Sequence, residues 1–280
     1  MKVAVLIDNN PHHAVDFLTE HGLSIYFEAD GYKWLLDVGA SDQFAKNAEN
    51  MGIDIGDIDY LILSHAHSDH TGGLSEFVKR NSHAKIILSS HIKGKSFISN
   101  RREIKRSIGI DYSLVEQELA RFVMANSNKR ITENVSLLCN IPTLHKTPKA
   151  NEALYVVDEV GEKLDVFNHE IVLTVNTPNG LVVFSACSHN GLLNILAACS
   201  DQCDSTKIKA CIGGTHLVDS KFNQYESDPE IEKIGKTIIE LYPEMQLIAG
   251  HCTGENAKKV FLETVGDNFS PFYSGMFLEV

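Results

Sequence analysis

The 280-residue sequence predicts an α/β protein, and three observations support this fold class. Short β-branched strands alternate with helical segments near the start, a βαβ arrangement surrounds a histidine-rich loop, and the sheet pattern resumes in the second half. Hydrophobic residues make up 43% of the chain and charged residues 22%, as in globular proteins that bury a substantial core. Because no repeat or flexible linker divides the chain, the simplest organisation is one domain over residues 1–280.

The first 90 residues contain the predicted βαβ arrangement. β-Branched and apolar runs predict strands at 3–7, 24–28, 34–37, 60–63 and 85–89. Helical periodicity predicts helices at 42–51, ending before Gly52, and at 71–80. The order strand, loop, helix, strand places the loop at the carboxyl end of a strand, where open α/β sheets bind ligands.

The second half repeats the sheet pattern. Strands at 171–175 and 181–185 are predicted to form a hairpin, because the connecting Asn179-Gly180 favours a tight turn. A buried helix is predicted at 191–200, a strand at 209–212, an amphipathic helix at 229–241 and a further strand at 245–249.

The middle of the chain differs in charge. Residues 92–133 contain nine Lys or Arg against five Asp or Glu, and we interpret about 92–165 as an inserted, basic, cap-like segment. One interpretation of these charges is a solvated helix face. The other is a cap over the active site that attracts an anionic substrate.

Net charge and cysteine content exclude several classes of protein. The formal charge of -12 disfavours nucleic acid as a partner, since nucleic-acid binders usually have a basic face. Six cysteines without a CxxC pair predict reduced thiols in a cytoplasmic protein. No signal peptide and no apolar run of the ~20 residues that cross a bilayer is evident, so no membrane partner is expected. A homo-oligomer stays open.

The strongest motif is the string His65-Ala66-His67-Ser68-Asp69-His70, directly after an apolar strand. In a loop that leaves a strand, His65 and His67 can bind one metal, and Asp69 and His70 a second. Imidazole and carboxylate ligands together suit Zn, Fe, Mn, Ni or Co rather than Ca or Mg. Two metals require further ligands from distant parts of the chain.

The best distant candidates lie at the ends of later predicted strands. His189 follows the strand LVVFSACS, and His251 follows LIAG. Asp37, also after a strand, is placed to accept hydrogen bonds from the metal loop and orient its ligands. His216 and His169 are weaker candidates, which would contact either the substrate or the metal-binding side chains from behind. The remaining histidines are interpreted as structural, surface or loop residues: His12, His13, His21, His83, His91 and His145.

The sequence resembles the metallo-β-lactamase superfamily in these motifs. The metal string at 65–70 and LDVG at 36–39 match the superfamily. A narrower resemblance is to the dihydropterin-methyl-ribofuranosylaminobenzene-phosphate synthase-like branch. It rests on these blocks: EHGLS at 20–24, SHAHSDHTGGL at 64–74, ACSHNG at 186–191, GGTHL at 213–217 and GHCTG at 250–254.

The resemblance implies a four-layer αβ/βα sandwich with metals at one edge of two facing sheets. It implies two ligand triads, one of His65, His67 and His189 and the other of Asp69, His70 and His251. Many superfamily enzymes have a bridging Asp where Cys187 stands here. Cys187 is therefore a candidate additional thiolate ligand, with a bridging water as the alternative.

Three functions follow as hypotheses. The leading one is a metal-dependent hydrolase of a small anionic, phosphorylated or carboxylated, substrate. It would hold two divalent ions, Zn first with Mn, Fe and Ni open, and Asp69 would be both a ligand and a proton acceptor. The alternative implied by the resemblance is a pterin-linked transferase, since archaeal members of the branch join a pterin to a phosphorylated ribosyl aminobenzene. The third, of another class, is an iron-binding redox or sensor protein.

Overall fold

The computed structural model describes residues 1–11, 16–202, 207–219 and 225–280. Its strands are, in chain order, β1 Lys2–Ile7, β2 Ser24–Ala29, β3 Tyr32–Leu36, β4 Tyr60–Ile62, β5 Lys85–Ser89, β6 Ser96–Ser99, β7 Arg106–Ser107, β8 Phe122–Ala125, β9 Lys129–Arg130, β10 Val135–Leu138, β11 Leu154–Asp158, β12 Gly161–Leu164, β13 Val172–Thr177, β14 Gly180–Ser185, β15 Ile208–Gly213, β16 Gln246–Ala249, β17 Phe269–Pro271 and β18 Phe277–Glu279.

Helices cover the outer faces of the sheets and several connections. The α-helices are α1 Gln43–Asn50, α2 Ser68–Thr71, α3 Leu74–Arg80, α4 Tyr112–Gln117, α5 Leu192–Gln202, α6 Asp228–Leu241 and α7 Glu255–Thr264. Short 3-10 turns occur at Ile55–Asp57, Ser90–Ile92, Arg101–Glu103, Leu119–Arg121, Lys149–Ala153 and Gly266–Asn268. None of the helices in the described ranges has both the length and the apolar character that crossing a bilayer requires.

Two seven-stranded sheets face each other. The first has the order β18-β1-β2-β3-β4-β5-β8 and the second β17-β16-β15-β14-β13-β10-β9. Along β1, Val3 and Val5 pack between the two sheets, while Ala4 and Leu6 pack under the helices on the outer face. This alternation is what a strand buried on both faces requires.

Three apolar layers therefore separate four layers of secondary structure. The central layer contains Phe27 and Phe184, whose rings stack with centroids 4.5 Å apart. A second layer lies between the first sheet and helices α1 and α3, and a third lies between the second sheet and helices α5, α6 and α7. The predicted four-layer αβ/βα sandwich is confirmed.

The middle segment forms a third, four-stranded sheet of order β12-β11-β6-β7. The same segment also supplies β8 to the first large sheet and both β9 and β10 to the second. The main chain of Ser68 donates to the carbonyl of Ile108, so this sheet is tied directly to the histidine loop. A separate cap with the boundaries 92–165 stays a prediction.

Two predicted elements differ in detail. The predicted helix at 71–80 begins three residues later, as α3, because Gly72 and Gly73 separate it from the short helix α2 that precedes it. The predicted hairpin forms, but Thr177 pairs with Gly180, so Pro178 and Asn179 are its two loop residues.

Candidate metal centre

The histidine loop leaves β4 at the carboxyl edge of the first sheet. Strand β4 lies between β3 and β5 and is parallel to both, so its end opens into the crevice beyond the sheet. The following Gly73 lies so close to the neighbouring chain that an added Cβ would be 2.1 Å from the carbonyl oxygen of Val38. Only glycine permits this approach, which holds α2 and its ligands against the end of β3.

The structure brings His65, His67 and His189 together, although His189 follows β14 in the other large sheet. One ligand atom from each lies within 4.8 Å of the other two. The Nε2 atoms of His65 and His189 are 3.3 Å apart. An ion with four ligands at about 2.0–2.1 Å separates neighbouring ligand atoms by about 3.3 Å, so this spacing fits one metal.

Asp69, His70 and His251 form a second group beside the first. The Nε2 atoms of His70 and His251 are 3.0 Å apart, and Oδ2 of Asp69 is 3.7 Å from the former and 3.5 Å from the latter. His70 and His251 are buried, whereas the Asp69 side chain keeps 20% of its surface exposed. Asp69 is thus the member of this group that is most open to an incoming molecule.

The tautomers of these histidines follow from the atoms behind them. Nδ1 of His70 faces a carboxylate oxygen of Asp37 at 2.7 Å, and Nδ1 of His251 faces the Asn9 amide oxygen at 3.1 Å. Both oxygens accept hydrogen bonds, so each Nδ1 carries a proton and donates it. The two facing Nε2 atoms are then left with lone pairs.

The same inference applies to the first triad. Nδ1 of His189 donates to the Asn151 amide oxygen at 3.0 Å. Nδ1 of His65 contacts the Ser64 hydroxyl, which itself donates to Asp37. Lone pairs that face each other at 3.0–3.3 Å repel unless a cation lies between them, so the donor set fits two metal ions.

Burial sets the protonation of the triads in the metal-free protein. It lowers the pKa of His65 and His189 well below the usual imidazole value, and that of His67 to about 3. Burial also lowers the pKa of His251, but Cys252 and Asp69 together raise it to about 9. The first triad is thus neutral, whereas His251 favours a second proton on Nε2 that a bound cation would displace.

Cys187 lies between the two triads. Its Sγ is 3.6 Å from Nε2 of His70 and 3.3 Å from Sγ of Cys252. Burial raises the pKa of the Cys187 thiol well above its usual range. Burial opposes ionisation of Cys252 too, but the hydrogen bond from Cys187 and the His251 imidazole lower its pKa. Cys139, Cys187, Cys211 and Cys252 form no disulfide within the described ranges, and Cys203 lies outside those ranges.

Asp37, which was expected to accept hydrogen bonds from the metal loop, lies directly behind that loop. One of its carboxylate oxygens accepts from the main chain of Ser64 at 2.7 Å, and the other contacts both the Ser64 hydroxyl and His70. Five non-glycine residues around the site have positive φ: Asp37 at 60°, Phe167 at 53°, Ser188 at 58°, His216 at 52° and His251 at 47°. Such strain concentrates where the surrounding structure over-determines the backbone, which is common at functional sites.

His216 and His169 differ in what their rings contact. Nε2 of His216 is buried without a hydrogen-bond partner in the described ranges, and the ring lies 4.1 Å from that of His189 between centroids. Both ring nitrogens of His169 are already engaged, Nε2 with Asp165 at 3.0 Å and Nδ1 with the main chain of Ala66 at 3.3 Å. His169 therefore holds the loop in place, whereas His216 is free to meet a ligand.

Sequence reasoning missed several residues around the centre. His21, interpreted as structural, lies with Nε2 3.3 Å from Asp69 and lines the pocket. Asn9 and Asn151 support ligand histidines, and no local pattern distinguishes them from other asparagines. His83 and His145 are exposed, and His91 is half-buried in a 3-10 turn. His12 and His13 lie outside the described residues.

A small pocket of about 120 Å³ opens onto both triads. Its walls come from the metal loop, from the third sheet and from the ends of β14, β15 and β16. Among its lining side chains are Asp69, Ser99, Arg101, His189 and His216.

Comparisons with known proteins agree with this geometry. The family model described as the metallo-β-lactamase superfamily matches residues 19–95. The crystal structure of Tm1679, a metal-dependent hydrolase of the β-lactamase superfamily, is 32% identical and superposes with a TM-score of 0.83 over 100% of this chain and 99% of that one.

Two curated relatives have different activities in their names. A 7,8-dihydropterin-6-methyl-4-(β-D-ribofuranosyl)-aminobenzene-5′-phosphate synthase of Methanocaldococcus jannaschii is 28% identical over 100% of this chain and 96% of its own length. A UPF0173 metal-dependent hydrolase of Staphylococcus haemolyticus is 38% identical, but over only 28% of this chain and 32% of its own length.

Proposed function

The chain belongs to the metallo-β-lactamase superfamily, and on that basis we propose that it is a metal-dependent hydrolase of a small anionic substrate. The observation that carries the proposal is the pair of adjoining triads: their Nε2 atoms converge, and His67, His189 and Asp69 line one pocket. The 32% identity with a metal-dependent hydrolase over the whole chain supports the same reaction type.

Each triad has its own role in this proposal. His65, His67 and His189 would hold one divalent ion, and Asp69, His70 and His251 the other, with zinc first and manganese, iron or nickel open. When bound, such ions lower the pKa of a coordinated water to about 7 and polarise a substrate oxygen. Cys187 lies close enough to both triads to contribute an additional thiolate once its proton is lost.

The protein's own residues position these groups and move protons. Asp37 and Asn151 hold His70 and His189 in the tautomer that leaves Nε2 free. Asp69, the most exposed member of the triads, is proposed as a proton acceptor as well as a ligand. His216 presents an unpartnered Nε2 to the same pocket, where it can donate a hydrogen bond or a proton to a substrate oxygen.

A transferase is the second candidate. It is favoured by one observation, the 28% identity to the archaeal synthase over the full length of this chain. The same metal centre would then activate an electrophile for bond formation. The anionic substrate would carry a phosphate, like the aminobenzene phosphate in the relative's name.

The test begins with elemental analysis of protein purified without added metal. A panel of phosphodiester, lactone, β-lactam and pterin substrates then separates hydrolysis from transfer. Bound zinc or manganese supports the hydrolase, whereas bound iron with visible absorption favours a redox or sensor protein.

Variants locate the activity at the triads. We expect His67→Ala and His251→Ala each to lose about one metal equivalent and nearly all turnover. His83→Ala, which removes an exposed imidazole, is the matched control and should match the wild type. Full metal content and activity in both His67→Ala and His251→Ala would contradict the proposal.

A further inference from the structure

The third sheet places one arginine in the wall of the metal pocket. Arg101 begins the 3-10 turn that follows β6, and its side chain lines the pocket together with Ser99 and members of both triads. The main chain next to it is fixed, since Asn100 donates to the carbonyl of Ala153 at 2.8 Å and Ser99 pairs with Leu154 across the sheet. The guanidinium is therefore held at the pocket by a sheet rather than by a free loop.

The guanidinium has an unsatisfied donor. Nε of Arg101 is buried and has no hydrogen-bond partner in the part of the chain that the structure describes, and the side chain forms no ion pair there. Burying a charged donor without a partner costs free energy. A ligand with an oxyanion recovers that cost, because the planar guanidinium matches two oxygens at once.

Arg101 is also the only lysine or arginine among the described residues that line this pocket. Two further groups there can bind oxygen atoms, the hydroxyl of Ser99 and the unpartnered Nε2 of His216. Three donor groups of different geometry around a small pocket suit the several oxygens of a tetrahedral phosphoryl group better than a planar carboxylate.

We propose that Arg101, assisted by Ser99 and His216, binds a phosphoryl group of the substrate beside the metal triads. This assignment rests on the proposed function and narrows its substrate class to phosphate esters. Arg101 acts here as a binding residue that sets specificity. It would place a phosphorylated substrate in the pocket and discriminate against neutral esters and lactones.

The experiment measures binding of inorganic phosphate by calorimetry to the metal-loaded protein. The proteins compared are the wild type, Arg101→Met, Arg101→Lys and the control Arg130→Met, which removes an exposed arginine of β9. Acetate serves as the carboxylate probe, and metal content is measured for every protein.

We expect Arg101→Met to weaken phosphate binding about 10- to 100-fold, because a charge-assisted hydrogen-bond pair is lost. Arg101→Lys should lose less, since the charge is kept but the planar fork is not. Arg130→Met should bind phosphate as the wild type does, and metal content should be equal throughout.

Three results would overturn the assignment. They are unchanged phosphate affinity in Arg101→Met, an equal loss of acetate affinity, and loss of metal in the variant, which would make Arg101 structural. If Arg101→Met does not fold, unchanged affinity in Arg101→Lys overturns it instead. Arg101-dependent phosphate binding without turnover of any substrate would refute the hydrolase and leave this inference intact.

Discussion

Replacing Asp37 with asparagine changes one oxygen of the network behind His70 into an amide nitrogen. The amide oxygen can still accept from the main chain of Ser64, so the end of β3 keeps its contact with the metal loop. The amide nitrogen then faces Nδ1 of His70, where the wild type has a carboxylate oxygen at 2.7 Å. Two donors cannot share that position, so His70 must move its proton to Nε2, the atom that faces His251.

The magnitude follows from the bond that is lost. A buried hydrogen bond to a charged group contributes about 1.5–3 kcal/mol, and loss of a partner behind a metal ligand typically lowers metal affinity about 10- to 100-fold. The effect should concentrate on the triad of Asp69, His70 and His251. The Ser64 hydroxyl also loses its acceptor at Asp37, but its oxygen can still accept a hydrogen bond from Nδ1 of His65, so the first triad should weaken less.

Competition titration with a chelator of known affinity measures both sites, and elemental analysis gives the stoichiometry. Asp57→Asn is the control, because Asp57 is an exposed carboxylate with 58% side-chain exposure that pairs with Lys33. The reasoning is refuted if Asp37→Asn binds two ions with wild-type affinities, or if both sites weaken equally.

Three further outcomes are expected. Chelation should lower Tm in calorimetry, since a ligand present at 100 times its Kd stabilises the folded state by about 2.7 kcal/mol; an unchanged Tm would argue against metal binding. Phe184→Ala removes a fully buried ring from between the sheets and should cost about 3–5 kcal/mol in urea unfolding, whereas a loss below about 1 kcal/mol would contradict the described packing. The hydrogen bond from Lys149 lowers the pKa of Glu230 to about 2. The contribution of this pair to the free energy of unfolding is therefore present above about pH 4.5 and is lost as the pH falls toward 2. Because both side chains are substantially exposed, Glu230→Gln should cost less than about 1 kcal/mol at pH 7, and a difference that persists at pH 2 would be inconsistent with this origin.

The parts of the fold that sequence predicts well have local signals. The strand at Tyr60–Ile62, the ligand string after it and the hairpin around Asn179 each show their pattern within about ten residues. The structure brings His189 and His251 beside this string, as expected from the apolar strand that each follows, which places it at a sheet edge.

The parts that sequence predicts poorly depend on distant partners. Two-residue strands such as Lys129–Arg130 exist only through pairing, here with Ser136 and Leu137, and have no periodicity of their own. Asn9 and Asn151 contact ligand histidines 242 and 38 positions away, so no spacing in the sequence indicates them. The predicted helix at 71–80 began too early in the chain. The backbone at Gly73 passes close to the carbonyl of Val38, and this contact outweighs the helical periodicity.

The second triad joins His70 to His251 across 181 positions of the chain. During synthesis the second triad is incomplete until residue 251 has left the ribosome, so His70 lacks this partner until then. Such long loop closure slows folding, and under the proposed function an ion bound by this triad would add its free energy to the contact between these distant segments. Metal supply would then govern how quickly newly made chains mature, as well as how active the finished ones are.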